Sequence, residues 1–243
     1  MRINLESKNH LDFHVIDNQK RDLILILPGG GYSFTSPREA NPVAKVFQSA
    51  GYHTAIYYYR ETKLQHPMAH QEGLSALKCL RKMDNIGRIF VCGFSAGGHL
   101  AASLLIYHAN HLSGGILSYP VITADPRYAH QGSIRNLLGN DCSTSRMKEV
   151  SLERNVHSKV PPVFIWHTMD DSSVPVENSM LFMAALKKKN VKVETHYFAS
   201  GAHGLSLASK ETPFDDMDPV VFEEQNKHIA IWFQLALTFL KKI

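Results

Sequence analysis

The chain has 243 residues, of which 44% are hydrophobic and 20% are charged, proportions that are ordinary for a globular protein. This length suits one hydrophobic core, so we expect residues 1–243 to form a single domain. The formal charge of +4 comes from 26 basic and 22 acidic residues that are scattered along the chain, which disfavours a nucleic-acid-binding protein.

Short apolar runs rich in branched and aromatic side chains recur along the chain and predict buried strands. They cover residues 23–27, 53–59, 88–92, 115–119, 163–167 and, with more alternation, 192–198. Segments with helical periodicity lie between them, at about 38–50, 68–83, 96–109, 177–190 and 222–241. Strands that alternate with helices predict an α/β fold, with a mostly parallel central sheet and helices on both faces. Residues 1–16 are expected to add an antiparallel hairpin.

The strongest local motif is the pentapeptide GFSAG at residues 93–97, which follows a predicted strand and opens an apolar helix. This is the strand-to-helix setting that a G-x-S-x-G nucleophile elbow requires. Glycines two residues either side of the serine let the backbone turn sharply, which leaves the serine strained and exposed. We therefore interpret Ser95 as a nucleophile.

A glycine-rich loop, Pro28 followed by three glycines, ends the first strongly buried strand. Acyl transfer needs donors aimed at the oxygen that becomes negative, and backbone N–H groups usually supply them. We expect one donor from this loop and a second from Ala96, the residue after the nucleophile. The loop matches neither glycine-rich phosphate-binding pattern, so it does not predict a nucleotide site.

The general base is predicted to be His203, which lies between glycines on a loop after the last predicted strand. His167 competes with it, but it ends a buried strand, where a structural hydrogen-bonding role fits better. The acid should follow that same strand, and Asp170 and Asp171 both do. We prefer Asp171 because it begins a D-x-x-V-P segment typical of many hydrolases, which leaves Asp170 to satisfy N–H groups of its own loop.

These motifs occur in order across residues 23–207, and with them the chain resembles the small α/β-hydrolase carboxylesterases related to acetyl xylan esterases and to hormone-sensitive-lipase-like enzymes. Residues 166–171 and 174–179 are especially similar to the acetyl-esterase branch. The resemblance implies the α/β-hydrolase fold and hydrolysis of short acyl esters, often acetyl groups on carbohydrates, without a cofactor or metal ion. It also implies that the loop donor is Gly30 or Gly31. Pro28 departs from the His-Gly-Gly-Gly of the lipase-like group, which weakens assignment to that branch.

Residues 121–161 interrupt the alternation of strands and helices with short polar pieces punctuated by proline and glycine. Loops of this length inside a compact domain are usually functional or partly helical. We expect a small insertion near the active site; the alternative is a surface excursion with a short helix at about 133–138. Tyr32 and Phe94 are predicted to border the substrate pocket with this segment.

Two other functions use the same fold. A peptidase of the prolyl-oligopeptidase type has the same triad, but such enzymes usually add a large propeller domain that 243 residues cannot contain. A non-catalytic binding module typically lacks a triad residue, and all three are present here. The expected partner is a small-molecule ester, with an acetylated carbohydrate as one example, while the natural ester and the existence of a homo-oligomer stay open.

The three cysteines are widely spaced and contain no C-x-x-C pair, so the sequence predicts neither a disulfide framework nor a thiolate zinc site. The first residues lack the apolar stretch of a secretory signal, and no run of about 18 apolar residues indicates a membrane helix. We therefore expect a cytoplasmic protein with reduced thiols and no membrane partner.

Overall fold

The computed structural model describes residues 1–243 and contains one eight-stranded sheet. The strands are β1 (Arg2–Asn4), β2 (His10–His14), β3 (Arg21–Leu27), β4 (His53–Tyr58), β5 (Ile86–Phe94), β6 (Gly114–Ser118), β7 (Val163–Thr168) and β8 (Val193–Phe198). Their order across the sheet is β1-β2-β4-β3-β5-β6-β7-β8. The hairpin of β1 and β2 is antiparallel and joins β4 antiparallel, whereas β4, β3, β5, β6, β7 and β8 are parallel to one another. The predicted fold class is confirmed.

Eight helices connect or flank the strands. They are α1 (Asn41–Ser49), α2 (Met68–Arg81), α3 (Ser95–Tyr107), α4 (Gln131–Leu138), α5 (Thr144–Val150), α6 (Glu177–Lys188), α7 (Pro219–Ala230) and α8 (Trp232–Lys241). Short 3-10 turns occupy Pro37–Glu39, Ala109–His111 and Leu152–Arg154. None of the helices combines the length and the apolar character that a membrane-spanning segment needs.

The C-terminal helical region differs from the prediction of one helix over 222–241. Helix α7 begins earlier because the Asp218 side chain accepts hydrogen bonds from the N–H groups of Val220 and Val221, and Pro219 occupies the first helical position. The region then divides into α7 and α8 at Trp232, which is fully buried and donates its indole N–H to Ser206 O. Helix α8 thus contacts the loop that contains His203.

Strand β3 is buried on both faces, and its side chains separate the two halves of the core. Leu23, Leu25 and Leu27 belong to a cluster that includes residues of α2, α3 and α6. Ile24 and Ile26 belong to a second cluster that includes residues of α1, α7 and α8. A continuous apolar run is what a parallel strand covered on both sides requires.

The ends of β3 and β5 lie side by side, with Leu27 in register with Gly93. Helix α3 leaves β5 so close to β3 that a Cβ atom on Gly97 would overlap the carbonyl oxygen of Leu27. A Cβ atom on Gly93 would lie 2.5 Å from the carbonyl oxygen of Gly97. Both glycines of the pentapeptide are therefore required by close backbone approach.

Residues 121–161 contain helices α4 and α5 and a 3-10 turn, so they hold more regular structure than the single short helix considered from the sequence. Helix α4 coincides with the predicted helix. It contacts the glycine-rich loop directly, because Asn136 Nδ2 donates to Gly31 O over 2.8 Å.

Replacing Gly97 with alanine should destabilise the protein by about 3 kcal/mol or more, since overpacked positions against fixed backbone typically cost 1–3 kcal/mol and here neither partner can move freely. Gly132 is the matched control, because a Cβ atom there has ordinary contacts only, the nearest being 3.5 Å away. Gly132→Ala should stabilise helix α4 by up to about 1 kcal/mol. Urea denaturation of both variants tests this; equal stabilities would contradict the close approach.

Candidate active site

Ser95 lies at the turn between β5 and α3, with a left-handed φ of 51°. A residue other than glycine adopts this conformation at a cost, and only where the surrounding structure enforces it. Here the surrounding structure is a fully buried strand end on one side and, on the other, a helix whose residues 96–106 are all buried. The serine is consequently fixed at the carboxyl edge of the sheet, with 7% of its surface exposed.

Three side chains meet at this edge in one hydrogen-bonded line. Ser95 Oγ lies 2.8 Å from His203 Nε2, and His203 Nδ1 lies 2.6 Å from Asp171 Oδ2. The carboxylate can only accept, so Nδ1–H donates to it and Nε2 is free to accept the serine proton. Residues predicted from three separate motifs are thus brought together, although they are 76 and 32 positions apart in the sequence.

Asp171 is the most heavily hydrogen-bonded group of the site. Its Oδ1 accepts from the backbone N–H groups of Ser173 and Val174, each over 2.9 Å. Its Oδ2 accepts from His203 and also from His167 Nε2 over 3.1 Å. Burial raises the pKa of Asp171, but the hydrogen bonds from the two histidines and from the backbone outweigh burial and hold that pKa well below its usual range. The carboxylate is therefore ionised wherever the protein is folded near neutral pH.

His167, the competing histidine, is fully buried and contacts the Asp171 side chain, which is also buried. Its Nε2 faces Asp171 and, at 3.0 Å, the carbonyl oxygen of Val174. Both partners only accept, so Nε2 carries the proton and Nδ1 accepts from the Ser179 hydroxyl at 2.8 Å. All polar atoms of the ring are satisfied, and the imidazole has no path to a substrate.

Asp170 does more than the sequence suggested. Its Oδ1 accepts from the N–H of Gly201 over 2.8 Å, so it ties the loop after β7 to the loop that contains His203. The predicted role in its own loop is therefore corrected. The partner belongs to a loop 31 residues away, which no local pattern reveals.

The glycine-rich loop lies against Ser95, the candidate nucleophile. A Cβ atom on Gly29 would be 3.0 Å from Ser95 Cβ, and the Gly29 N–H donates to Glu39 Oε2. The N–H groups of Gly30 and Gly31 donate to no other group of the chain. The N–H of Ala96 belongs to the first turn of α3, where helical donors have no partner within the helix.

Tyr32 and Phe94, predicted to border a substrate pocket, point away from any open surface. Tyr32 is 1% exposed, and its hydroxyl donates to His99 Nδ1 over 2.9 Å. Burial lowers the pKa of His99 to about 4, which keeps this ring neutral and able to accept. Phe94 is fully buried in the core, with its ring 6.1 Å from that of Trp232. Both predictions failed because the direction of a side chain depends on packing that a sequence position does not show.

His130 is a polar group of this region that sequence analysis missed. It caps the N-terminus of α4, with Nδ1 accepting from the N–H of Ser133 over 3.2 Å and lying 2.7 Å from the Ser133 hydroxyl, which can also donate to it. The proton of the neutral ring is then on Nε2, which has no partner within the chain. The ring lies beside Gly31, and burial, followed by the nearby charge of His203, lowers the pKa of His130. A histidine three residues before a serine is too weak a pattern to have indicated this.

Comparison with known proteins gives one family match. The profile of the prolyl oligopeptidase family matches residues 48–217, which include Ser95, Asp171 and His203. This range begins after the glycine-rich loop.

The chain is similar to proteins named for ester or xylan hydrolysis. Endo-1,4-beta-xylanase B of Butyrivibrio fibrisolvens is 36% identical over 80% of this chain, and acetylxylan esterase of Xylanibacter ruminicola is 28% identical over 79%. The chain spans only 34% and 43% of the lengths of these two relatives. The crystal structure of an acetyl ester-xyloside bifunctional hydrolase from Caldicellulosiruptor lactoaceticus superposes with a TM-score of 0.84 and 34% identity, over 96% of this chain and 88% of that one.

Proposed function

The chain belongs to the prolyl oligopeptidase family and is an α/β hydrolase of the esterase type, and within that family we propose that it is a serine carboxylesterase acting on short acyl esters, above all acetyl esters. The observation that supports this most directly is the line of hydrogen bonds from Ser95 through His203 to Asp171, with lengths of 2.8 and 2.6 Å. The resemblance inferred from the sequence motifs is confirmed at the level of the family.

In the first half of the proposed cycle, Ser95 Oγ attacks the ester carbonyl while His203 Nε2 takes its proton. Asp171 keeps the proton of the neutral imidazole on Nδ1 and stabilises the cation that forms. The oxyanion of the tetrahedral intermediate is bound by the N–H of Ala96 and by that of Gly30 or Gly31, since Ala96 directly follows the serine, the N–H groups of Gly30 and Gly31 donate to no other group of the chain, and the preceding Gly29 lies against Ser95.

Collapse of this intermediate breaks the bond to the alcohol, which leaves with the proton from His203. Water then attacks the acyl-enzyme, with His203 again taking a proton, and Ser95 is regenerated together with a carboxylic acid. The groups described are sufficient for both halves, so the proposed cycle uses no metal ion or organic cofactor.

The alcohol side of the ester is proposed to lie against residues 121–161, the small insertion expected from the sequence. Two contacts support this placement: Asn136 binds the carbonyl oxygen of Gly31, and the His130 ring lies beside Gly31 with an unpaired Nε2–H. Such a donor suits a hydroxyl or ring oxygen of a carbohydrate. The names of the xylan-related relatives agree with an acetylated sugar as the substrate class.

A peptidase is the second candidate, because the matching family is described by its oligopeptidases. The triad geometry serves both ester and amide hydrolysis, so the geometry does not separate them. Esters are favoured by the names of the similar proteins, two of which refer to acetyl ester hydrolysis.

Ser95→Ala should abolish ester hydrolysis and leave the fold intact, because the only side-chain partner of the hydroxyl is His203 and the smaller side chain fits the same turn. The measurement is hydrolysis of an aryl acetate together with circular dichroism. A fluorophosphonate should label the native protein once, at Ser95, as read by peptide mass spectrometry. Most of the activity surviving in the variant, or a label on another serine, would remove the proposed nucleophile.

Asp171→Asn should lower kcat by about ten-thousand-fold, the loss seen when the orienting carboxylate of a serine triad becomes an amide and the histidine tautomer is wrong. The control is Asp170→Asn, which keeps an oxygen able to accept from Gly201 N–H, so its kcat should stay close to that of the native enzyme. Both variants are compared at a temperature where circular dichroism shows each to be folded. If Asp170→Asn loses activity while Asp171→Asn stays active, the orienting carboxylate is that of Asp170 and not that of Asp171.

Acetyl to butyryl esters should be hydrolysed faster than dodecanoyl esters, and a prolyl amide should be hydrolysed slowly or not at all.

His130→Ala should lower kcat/KM for an acetylated xyloside by about tenfold, the loss of one hydrogen bond of roughly 1.4 kcal/mol, with little change for an aryl acetate. The measurement is the hydrolysis rate of each of these substrates by the native protein and by His130→Ala. Faster turnover of dodecanoyl esters, or of the prolyl amide, would reject the proposed substrate class.

A further inference from the structure

Glu39 is a buried carboxylate that the triad does not include. It ends the 3-10 turn Pro37–Glu39, and it is 4% exposed. Its Oε2 accepts from the N–H of Gly29 over 2.6 Å, and its Oε1 accepts from the Tyr119 hydroxyl over 2.6 Å. One carboxylate thus holds the glycine-rich loop at one end and a tyrosine that follows β6 at the other.

Tyr119 extends this connection to the histidine loop. Its hydroxyl accepts from the N–H of Ser206 over 2.9 Å, and its ring packs edge to face against His203 with centroids 5.0 Å apart. Its backbone is left-handed, with φ of 38°, so the ring direction is set by an unusual turn. The two loops that contain the oxyanion donors and the general base therefore share one buried hydrogen-bonded bridge.

The neighbouring residue strengthens the same bridge from outside. The Arg38 guanidinium donates to the carbonyl oxygens of Gly204, Thr212 and Pro213 over 2.9, 2.6 and 2.6 Å. The turn at residues 37–39 thus binds the histidine loop through Arg38 and the glycine-rich loop through Glu39.

We propose that Glu39 is a positioning residue for catalysis: its carboxylate fixes the glycine-rich loop relative to the histidine loop, so that the oxyanion donors and the general base address the same reacting carbon. Glu39 touches neither the substrate nor the reacting atoms, and it acts through Gly29 and Tyr119. The inference rests on the proposed triad and oxyanion hole.

The donors around residue 39 explain why an ionised carboxylate is needed at this position. Both ends of Glu39 face donors, and the Tyr119 oxygen already accepts from Ser206. A glutamine could place its oxygen toward Gly29 or toward Tyr119, but its NH2 group would then face a donor at the other end. Either orientation leaves one hydrogen bond unmade in a buried site, which shifts one of the two loops.

The buried charge opposes stability, which points to a functional reason for its presence. Burial raises the pKa of Glu39, while the hydrogen bonds from Tyr119 and Gly29 and the nearby charge of His203 oppose that rise. Buried carboxylates are costly unless fully paired, and replacing paired buried charges is often neutral for stability. The position of Glu39 between the glycine-rich loop and the histidine loop gives the functional reason for this buried carboxylate.

The test compares Glu39→Gln, Tyr119→Phe and the double variant by kcat and KM for an aryl acetate and by the affinity of a phenylboronic acid. The boronate forms a tetrahedral adduct with the nucleophile, so its affinity reports the oxyanion site, and transition-state analogues should weaken in step with kcat/KM. Glu72→Gln is the control, since Glu72 is a half-buried carboxylate that likewise accepts from a tyrosine hydroxyl, that of Tyr57 over 2.7 Å, and from the Asn9 side-chain amide over 2.6 Å, and lies outside the triad, both loops and residues 121–161.

Glu39→Gln should lower kcat about tenfold to a hundredfold, less than the hundredfold to thousandfold loss when an oxyanion donor is deleted, with KM changed less than about twofold. Boronate affinity should fall by the same factor as kcat/KM. The kcat of the double variant should be within about twofold of the kcat of Glu39→Gln, because the effects of substitutions within one hydrogen-bond network do not add. Glu72→Gln should retain native kcat.

Native kcat in folded Glu39→Gln, a change confined to KM, or losses that multiply in the double variant would each overturn the proposal. If Glu39→Gln does not fold, Tyr119→Phe alone must show the paired loss of kcat and boronate affinity. Ser95→Ala is measured in parallel. Activity in that variant shows that the proposed nucleophile is wrong, whereas an inactive Ser95→Ala beside an unaffected Glu39→Gln refutes the positioning role alone.

Discussion

The close backbone approach of helix α3 to the end of β3 is the constraint on which the candidate active site depends. Because Leu27 pairs with Gly93, the chain leaving β3 and the chain leaving β5 emerge side by side. Gly97 has no room for a side chain against Leu27, so the helix cannot retreat without opening the sheet. The strained conformation of Ser95 and the contact of Gly29 with it are consequences of this one pairing.

Two buried carboxylates are treated differently by their surroundings. Asp171 accepts from two imidazoles and two backbone N–H groups, and these donors lower its pKa despite burial. Glu39 has one N–H and one hydroxyl as donors, and burial prevails in raising its pKa. The difference matches their proposed roles: Asp171 faces His203, the histidine proposed to become a cation, whereas Glu39 lies behind the glycine-rich loop, where negative charge is proposed to develop.

Groups whose setting is local could be predicted from sequence. Ser95, Asp171 and His203 each follow a strand that an apolar run reveals, and a glycine or proline within four residues of each marks the turn. The strand-to-helix turn that holds Ser95 was thus recognisable from five consecutive residues. The α/β architecture followed in the same way from the alternation of the segments themselves.

Groups whose partners are distant in sequence could not be predicted. Glu39 and Tyr119 are 80 residues apart, and nothing near either residue indicates the other. Tyr32 was misread for the same reason, since the His99 that holds its hydroxyl is 67 residues away. His130 depends on where α4 docks, and the docking of a polar insertion is decided by tertiary contacts.

The three acceptors of Arg38 in the histidine loop are all main-chain carbonyls. Substitution of the exposed side chains at positions 210 and 211 therefore leaves these hydrogen bonds in place, whereas substitution of Arg38 removes all three. The same asymmetry applies to chimeras. A chimera that takes its histidine loop from a relative would also need residues 37–39 from that relative, although they lie more than 160 positions upstream.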